Sequence, residues 1–159
     1  MSVDAAIKGH EQILEQTIDL FRSFPIPPGV ELEMPPPSTK SLGIRFEEYV
    51  PARSLRASVV VPGSYANAVG LLQGGFLAAM FDDLIGPLSY LTAGGPTTSL
   101  DLTTQFMRPA FTGSKLTLTA EVRKPGRTTI FIAAEARNED DKLVATAVST
   151  VQVIQLPAA

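Results

Sequence analysis

The fold is decided by residues 67–83, which run Asn67-Ala68-Val69-Gly70-Leu71-Leu72-Gln73-Gly74-Gly75-Phe76-Leu77-Ala78-Ala79-Met80-Phe81-Asp82-Asp83. A polar, glycine-rich turn opens a strongly apolar helix, and two carboxylates follow about two turns inside it. A helix start offers unpaired backbone N–H groups and the positive end of a dipole. A carboxylate on an apolar helix is costly unless it is paired, hydrogen-bonded or used. Together these features predict a donor that polarises a carbonyl group, facing an acid or base.

The predicted helix runs from Gly74 to about Leu91 and has two distinct faces. A bulky stripe suited to packing on a sheet consists of Leu77, Phe81, Leu84 and Leu88. A neighbouring face of small residues consists of Gly75, Ala78, Ala79, Asp82 and Gly86. Small side chains around one carboxylate leave room for another backbone or for a ligand. Pro87 is expected to end or kink the helix close to Gly86.

Upstream of this helix, the pattern predicts a different set of elements. Residues 4–24 have apolar side chains at roughly helical spacing and predict an amphipathic helix. Pro25, Pro27, Pro28 and Gly29 end it, and Pro35-Pro36-Pro37 keeps the following linker extended. Alternation at 42–46 and 55–59 then predicts two strands, followed by a loop.

Downstream of the helix, the pattern changes to strands. Alternating or apolar runs lie at 99–106, 116–122, 130–136 and 143–154. Pro125-Gly126 and residues 138–141 are hairpin turn signals between the last three runs. A long apolar helix beside an antiparallel sheet predicts an α+β fold in which the sheet wraps the helix. We expect a compact domain over 41–159, preceded by a helix and proline-rich linker over 1–40.

Composition narrows the class of protein. The 159 residues, 45% hydrophobic and 18% charged, suit one globular domain. A net charge of −3 argues against general nucleic-acid binding. There is no Cys and the single histidine, His10, lies in a polar N-terminal stretch, so a thiolate nucleophile and a metal site are not expected. Without a signal-like start or an apolar run of about 18 residues, the expected location is the cytoplasm, with no membrane partner.

Several pieces of this sequence form a pattern in a fixed order. They are Asn67, Gly70, Gln73-Gly74-Gly75, Asp82, Arg108-Pro109-Ala110 and Lys124-Pro125-Gly126-Arg127-Thr128. Over about residues 41–155 the pattern resembles the hotdog-fold acyl-CoA thioesterases of the phenylacetic-acid-degradation (PaaI-like) type. The resemblance implies a helix wrapped by an antiparallel sheet, and an enzyme that hydrolyses a thioester to a free acid and coenzyme A. Coenzyme A would be part of the substrate, so no separate cofactor and no metal are expected.

The resemblance also implies roles for individual residues. Asp82 would act as nucleophile or general base, the Gly74 N–H would polarise the thioester carbonyl, and Asn67 and Ser99 would help to position water. Gln73 occupies the position where many relatives have histidine, and is placed with this catalytic set. Contacts with coenzyme A or the acyl group are implied for Gly75, Phe106, Arg108, Lys124, Pro125, Gly126, Arg127, Thr128 and Thr129.

The same resemblance implies a homodimer or homotetramer with the site between protomers. Asn67 and Gly74 would come from one chain and Asp82 from its partner. The residues themselves add one argument for the substrate: Arg123, Lys124 and Arg127 cluster on one hairpin of an acidic chain, which suits the phosphates of coenzyme A. A solvated turn is the ordinary alternative for such a cluster.

Other interpretations stay open at the level of sequence. Asp82 could cap or pair within the core, Asn67 could be a turn residue, and Ser99 an ordinary strand position. Asp83 is expected to be a surface or interface charge. The bulky residues could line a pocket or fill the core: Phe76, Phe81, Phe106, Met107 and Phe111.

Two other functions remain as alternatives. Glutamine at position 73 cannot titrate near neutrality, which leaves room for an acyl-CoA-binding module without turnover. A dehydratase acting on hydroxyacyl thioesters is disfavoured, because it would use a histidine in the site and His10 lies outside the core domain.

Overall fold

A computed structural model describes residues 5–25, 29 and 31–155. The helices are α1 (His10–Arg22), α2 (Pro37–Leu42) and α3 (Gly74–Ala93), with a 3-10 turn at Gly63–Tyr65. The strands are β1 (Ile7–Lys8), β2 (Arg45–Val50), β3 (Ser54–Val60), β4 (Thr97–Ser99), β5 (Thr103–Phe106), β6 (Lys115–Lys124), β7 (Thr129–Arg137) and β8 (Leu143–Val153). They form one antiparallel eight-stranded sheet in the order β1-β2-β3-β6-β7-β8, with β4 and β5 both paired to the far side of β8. The predicted α+β class is confirmed.

The core lies between α3 and the sheet. The bulky stripe predicted for α3 is buried as expected, with Leu77 3% exposed and Phe81, Leu84 and Leu88 fully enclosed. Strand residues with period-two alternation meet it from the sheet, among them Leu118, which is also fully buried. Truncating Phe81 to alanine in such a core costs about 3–5 kcal/mol of stability. The bulky stripe therefore fixes how α3 is rotated, and the small-residue face is left exposed or half-buried.

Helix α3 continues through Pro87 to Ala93, two residues beyond the predicted end near Leu91. Proline deprives the Asp83 carbonyl of its helical donor, yet the last two turns are held by burial of Leu88 and Ser89. The helix ends at Gly94, whose φ of 63° is the left-handed conformation favoured at this position.

The N-terminal region differs from its prediction in two places. Helix α1 begins at His10, because Ile7 and Lys8 pair with β2 as a short strand and Gly9 turns the chain with a φ of 98°. The linker is not extended throughout, since Pro37 starts α2; proline is well tolerated at a first helical position, where its missing N–H has no partner to lose. Residue 4 and the pair Pro27-Pro28 lie outside the described residues.

Helix α1 packs into the same core as the rest of the chain. Ile13 is fully buried and Leu14 is 5% exposed. The His10 side chain accepts a hydrogen bond at Nδ1 from the Phe46 backbone N–H, 3.0 Å away. Burial, together with the nearby Arg45 charge, lowers the pKa of this histidine. The division into segments 1–40 and 41–159 stays a prediction.

The strand predicted over 99–106 is split into β4 and β5. Between them Asp101 crosses over the edge of β8: its carbonyl accepts from Ser149 Oγ at 2.8 Å and its carboxylate from the Thr150 N–H at 3.0 Å. The break places Ser99 at the end of β4, beside the open face of α3. The strand predicted over 42–46 is shifted: Leu42 is the last residue of α2, and β2 runs from Arg45 to Val50. The strands predicted over 55–59, 116–122, 130–136 and 143–154 and both hairpin turns are confirmed.

Candidate active site

The small-residue face of α3 is where Asp82 emerges. Its carboxylate is exposed, and its Oδ1 accepts a hydrogen bond of 3.2 Å from the Ser99 hydroxyl at the end of β4. Ala78 and Ala79 lie one turn away and line a shallow groove with Asp82 and Leu100. Asp82 and Ser99, both predicted as site residues, are thus in contact within one chain.

A cavity of about 620 Å³ opens on the other side of Asp82. It lies between α1, α2, α3 and β4, and this volume is within the range of small-molecule pockets. Its apolar wall consists of Leu14, Phe21, Met34, Leu42, Phe46 and Pro87. Its polar groups include Thr17, Ser38, Thr39, Tyr90, Thr98 and Ser99, together with both carboxylates.

Asp83 faces this cavity region and is not the surface charge that the sequence suggested. Its Oδ1 accepts from the Thr39 hydroxyl at 3.0 Å and the Ser38 hydroxyl at 3.2 Å, both from α2. Its Oδ2 is buried and has no hydrogen-bond partner in the part of the chain that the structure describes. Burial raises the pKa of Asp83, and the two hydroxyls and the nearby Asp82 charge act as smaller influences. The prediction failed because α2, read as extended linker, covers this side of the helix.

The glycine-rich turn before α3 is held by local hydrogen bonds. Asn67 Oδ1 accepts from the backbone N–H groups of Val69 and Leu71, both at 3.0 Å. The Leu72 N–H donates to the Ala110 carbonyl at 2.9 Å. The Arg108-Pro109-Ala110 segment, which follows β5, therefore holds this turn in place. The Asn67 oxygen thus organises the turn, as the alternative interpretation had it, while its amide nitrogen has no hydrogen bond within the described residues.

The backbone N–H groups at the start of α3 differ in whether they are hydrogen-bonded. Gln73 is the N-cap, and its Oε1 accepts from the Gly75 N–H at 2.7 Å. For the Gly74 N–H the structure contains no acceptor among the residues it describes. The Phe106 ring lies against Gly74, so that a Cβ at this position would be 3.1 Å from the ring. The free N–H therefore lies beside an aromatic side chain at the positive end of a helix.

Asp82 and Gly74 of one chain are too far apart to act on one carbonyl group. Eight residues separate them along α3, which at the helical rise amounts to about 12 Å. A reacting carbonyl must lie within about 3 Å of both its donor and its attacking group. The two groups are therefore not brought together within one chain.

Of the predicted contacts for coenzyme A and the acyl group, residues 124–128 lie at the exposed β6–β7 turn, Thr129 begins β7 and Gly75 lies in the first turn of α3. Of the cations at the β6–β7 turn, Arg123 is paired with Glu121 at 3.0 Å, whereas Lys124 and Arg127 form no ion pair within the described residues. Gly126 is required by close packing, since a Cβ there would lie 2.4 Å from the Thr129 carbonyl oxygen. Pro125 and Thr128 complete this turn, which lies next to the C-terminal end of α3.

The remaining predicted residues are spread over the surface and core. Arg108 Nη1 donates to the Leu143 carbonyl at 2.7 Å, which ties the end of β5 to the start of β8. Phe81 is in the core. The other bulky candidates are exposed by 37% to 61% and do not line the 620 Å³ cavity: Phe76, Phe106, Met107 and Phe111.

Two negative findings apply to the described residues. Among residues 5–25, 29 and 31–155, no group of three or more His, Cys, Asp or Glu side chains is arranged to hold a metal ion. Within those same ranges, no helix has the length and apolar character needed to cross a membrane.

Comparison with known proteins identifies the family. Residues 69–145 match the model of the thioesterase superfamily. A phenylacetic acid degradation-related protein from Ralstonia eutropha JMP134 is 31% identical, with a TM-score of 0.70 over 87% of this chain and 98% of its own. The chain therefore belongs to the thioesterase superfamily, as a hotdog-fold member of the phenylacetic-acid-degradation type.

Two further relatives define how far this likeness extends. The PaaI protein of the E. coli phenylacetic acid degradation operon has the same fold, with a TM-score of 0.75 over 90% of this chain and 96% of its own, at 21% identity. Human acyl-coenzyme A thioesterase 13 is 33% identical over 87 residues, which is 54% of this chain. The chain spans 62% of the length of that curated relative.

Proposed function

We propose that this protein is an acyl-CoA thioesterase in which Asp82 drives hydrolysis of the thioester to a carboxylic acid and coenzyme A. The observation that carries the proposal is the Asp82–Ser99 pair on the open, small-residue face of α3, next to a cavity of substrate size. The family membership and the similarity to human acyl-coenzyme A thioesterase 13 support the same reaction.

The chemistry follows from the groups on this face. As a general base, the Asp82 carboxylate takes a proton from water, and the hydroxide oxygen bonds to the thioester carbon. The carbonyl electrons move to oxygen, where a free backbone N–H stabilises the negative charge. When the C–S bond breaks, the sulfur leaves with the bonding electrons and takes the proton back from Asp82. Direct attack by the carboxylate is the other route, through an anhydride that water then cleaves.

The free N–H would come from a second copy of the chain. The support is the distance along α3 between Asp82 and Gly74 of the same chain, which is about 12 Å at the helical rise. The edge formed by β4 and β5 also carries exposed apolar side chains, with Leu100 58% and Phe106 55% exposed. Apolar patches and open strand edges of this kind are commonly covered by a partner. We therefore infer a homodimer that continues the sheet and places each Asp82 opposite the partner's glycine turn; a homotetramer would contain two such dimers.

Coenzyme A would be held by the β6–β7 turn. Lys124 and Arg127 are exposed, and neither has an ion-pair partner among the described residues. Cations without internal partners are available for phosphate groups. The coenzyme belongs to the substrate in this proposal, and no other cofactor takes part.

The test compares two carboxylates that line the same groove. Asp82→Asn should lower kcat on a panel of acyl-CoA esters by about 10²–10⁴, the range for a lost general base. Asp101→Asn is the matched control, because its amide oxygen can still accept from the Thr150 N–H. Full activity of the Asp82 variant would refute the mechanism. Ser99→Ala should lower kcat and leave KM nearly unchanged, since the serine orients Asp82 and does not hold coenzyme A.

An acyl-CoA-binding module without turnover is the second candidate. Gln73 favours it, because this side chain is engaged in capping α3 through its 2.7 Å bond to the Gly75 N–H and cannot titrate. Calorimetry that detects tight binding of acyl-CoA esters, with no hydrolysis of any of them, would support this candidate over the enzyme.

A further inference from the structure

We propose that the 620 Å³ cavity binds the acyl group, and that it selects uncharged acyl groups over those that end in a second carboxylate. This inference rests on the proposed function and adds the substrate class to it. The cavity begins at Asp82 and Ser99 and extends under the N-terminal segment. An acyl group whose carbonyl carbon is next to Asp82 therefore has this space directly beside it.

The N-terminal segment forms the far wall of the cavity. Phe21 of α1 packs edge-on against Tyr90 of α3, with ring centroids 5.0 Å apart and an interplanar angle of 84°. Leu14 and Met34 extend the same apolar surface. Such walls favour aliphatic or aromatic acyl groups, because each methylene removed from water raises affinity by about fourfold.

The charged side chains among the described residues that line the cavity are all acidic. Asp82 and Asp83 line it, and none of its described lining residues is Lys, Arg or His. The cations that lie nearby in the sequence are engaged elsewhere: Arg22 pairs with Asp19 at 3.4 Å and Lys40 with Glu33 at 2.9 Å. A distal carboxylate would lose its hydration without gaining a counter-ion, and would approach carboxylates of the same sign. A dicarboxylic acyl group is therefore rejected.

The test uses thioether analogues, which have no scissile bond, with the wild-type protein. Calorimetry should show S-hexyl-CoA binding at least about tenfold more tightly than coenzyme A, from burial of its methylenes. S-(5-carboxypentyl)-CoA, which matches it in length, should bind at least about tenfold more weakly than S-hexyl-CoA. Equal affinities of the two analogues, or no gain of S-hexyl-CoA over coenzyme A, would overturn the proposal.

A pair of variants locates the binding surface. Phe21→Ala should weaken S-hexyl-CoA by about fivefold or more and leave coenzyme A unchanged. Phe24→Ala is the control, because Phe24 contacts Phe21 at a ring distance of 5.3 Å but does not line the cavity. An equal effect of both variants on S-hexyl-CoA would place the acyl group elsewhere.

The outcome also separates this inference from the proposed function. If S-hexyl-CoA binds selectively but no acyl-CoA ester is hydrolysed, the thioesterase proposal fails and the cavity assignment stands. If hexanoyl-CoA and its carboxylated counterpart adipoyl-CoA are hydrolysed with equal kcat/KM, the function stands and the cavity assignment is refuted.

Discussion

The Gly74 N–H can be deleted without breaking the helix that carries it. Gly74 is the first residue of α3, and Gln73 before it has a φ of −70° and a ψ of 131°. Proline is favoured at a first helical position, and the extended conformation of Gln73 is the one required before proline. Gly74→Pro should therefore fold normally and lose one backbone donor.

The expected magnitude follows from the role proposed for this donor. Loss of one oxyanion donor costs about 3–4 kcal/mol of barrier, or about 10²–10³ in kcat. Gly74→Ala is the matched control, since it adds a Cβ and keeps the N–H. That Cβ would lie 3.1 Å from the Phe106 ring, which is 55% exposed and free to move by the few tenths of an ångström required.

The assay is steady-state hydrolysis of acyl-CoA esters, with thermal unfolding of each variant measured in parallel. The proline variant should lose most of its kcat while the alanine variant keeps most of it. Equal losses in both, with unchanged unfolding, would show that space next to Phe106 matters and the N–H does not. Full activity of Gly74→Pro would refute the oxyanion assignment.

Mixing variants tests whether the site is shared between chains. In a dimer with one Gly74→Pro chain and one Asp82→Asn chain, one of the two sites combines a normal Gly74 with a normal Asp82. Random exchange makes half of the dimers mixed, so about one quarter of wild-type activity should return in a two-fold symmetric assembly. No recovery after exchange confirmed by mass spectrometry would refute a shared site.

The other predictions concern the β6–β7 turn and the contact between α2 and α3. Gly126→Ala should destabilise the protein by about 1–3 kcal/mol and raise KM, because its Cβ would lie 2.4 Å from the Thr129 carbonyl oxygen. Gly95→Ala is the control: a Cβ there has no atom within 4 Å, so this variant should unfold in urea like the wild type. Equal urea stability of the two variants would contradict the predicted clash at Gly126. Carbon NMR should find the Asp83 carboxyl titrating above its ordinary value of 3.8, because burial raises its pKa. The native state then holds this proton more tightly than the unfolded chain, so this group's contribution to stability is greatest at acid pH and is lost as the pH rises through the native pKa. Thr39→Ala should lower stability by about 1–3 kcal/mol at neutral pH, where it removes a donor to the ionised Asp83, and by less at acid pH; an equal loss at both would refute the charge-assisted contact.

Local sequence patterns determined the main body of the fold. Helix α3 and strands β3, β6, β7 and β8 follow from apolar spacing that is repeated over several turns or strand pairs. The glycine turn, Asp82 and Ser99 were also proposed as site residues, from the local sequence and the family resemblance. The assignment of catalytic roles to these residues stays a prediction.

Only the tertiary structure decided what surrounds the carboxylates. Helix α2 was not predicted, because the prolines of the linker favour an extended chain. The Ser38 and Thr39 hydroxyls of this helix bind Asp83, which lies more than forty residues away in the sequence. The cavity next to Asp82 lies between α1, α2, α3 and β4, and no local pattern in any one of these segments predicts it. Apolar periodicity tells which side of an element is buried, but the partner that buries it is chosen by long-range packing. The sequence by itself therefore determined most of the helices and strands and proposed the residues of the site, whereas the pocket and the environment of Asp83 depend on contacts between segments that are distant in the chain.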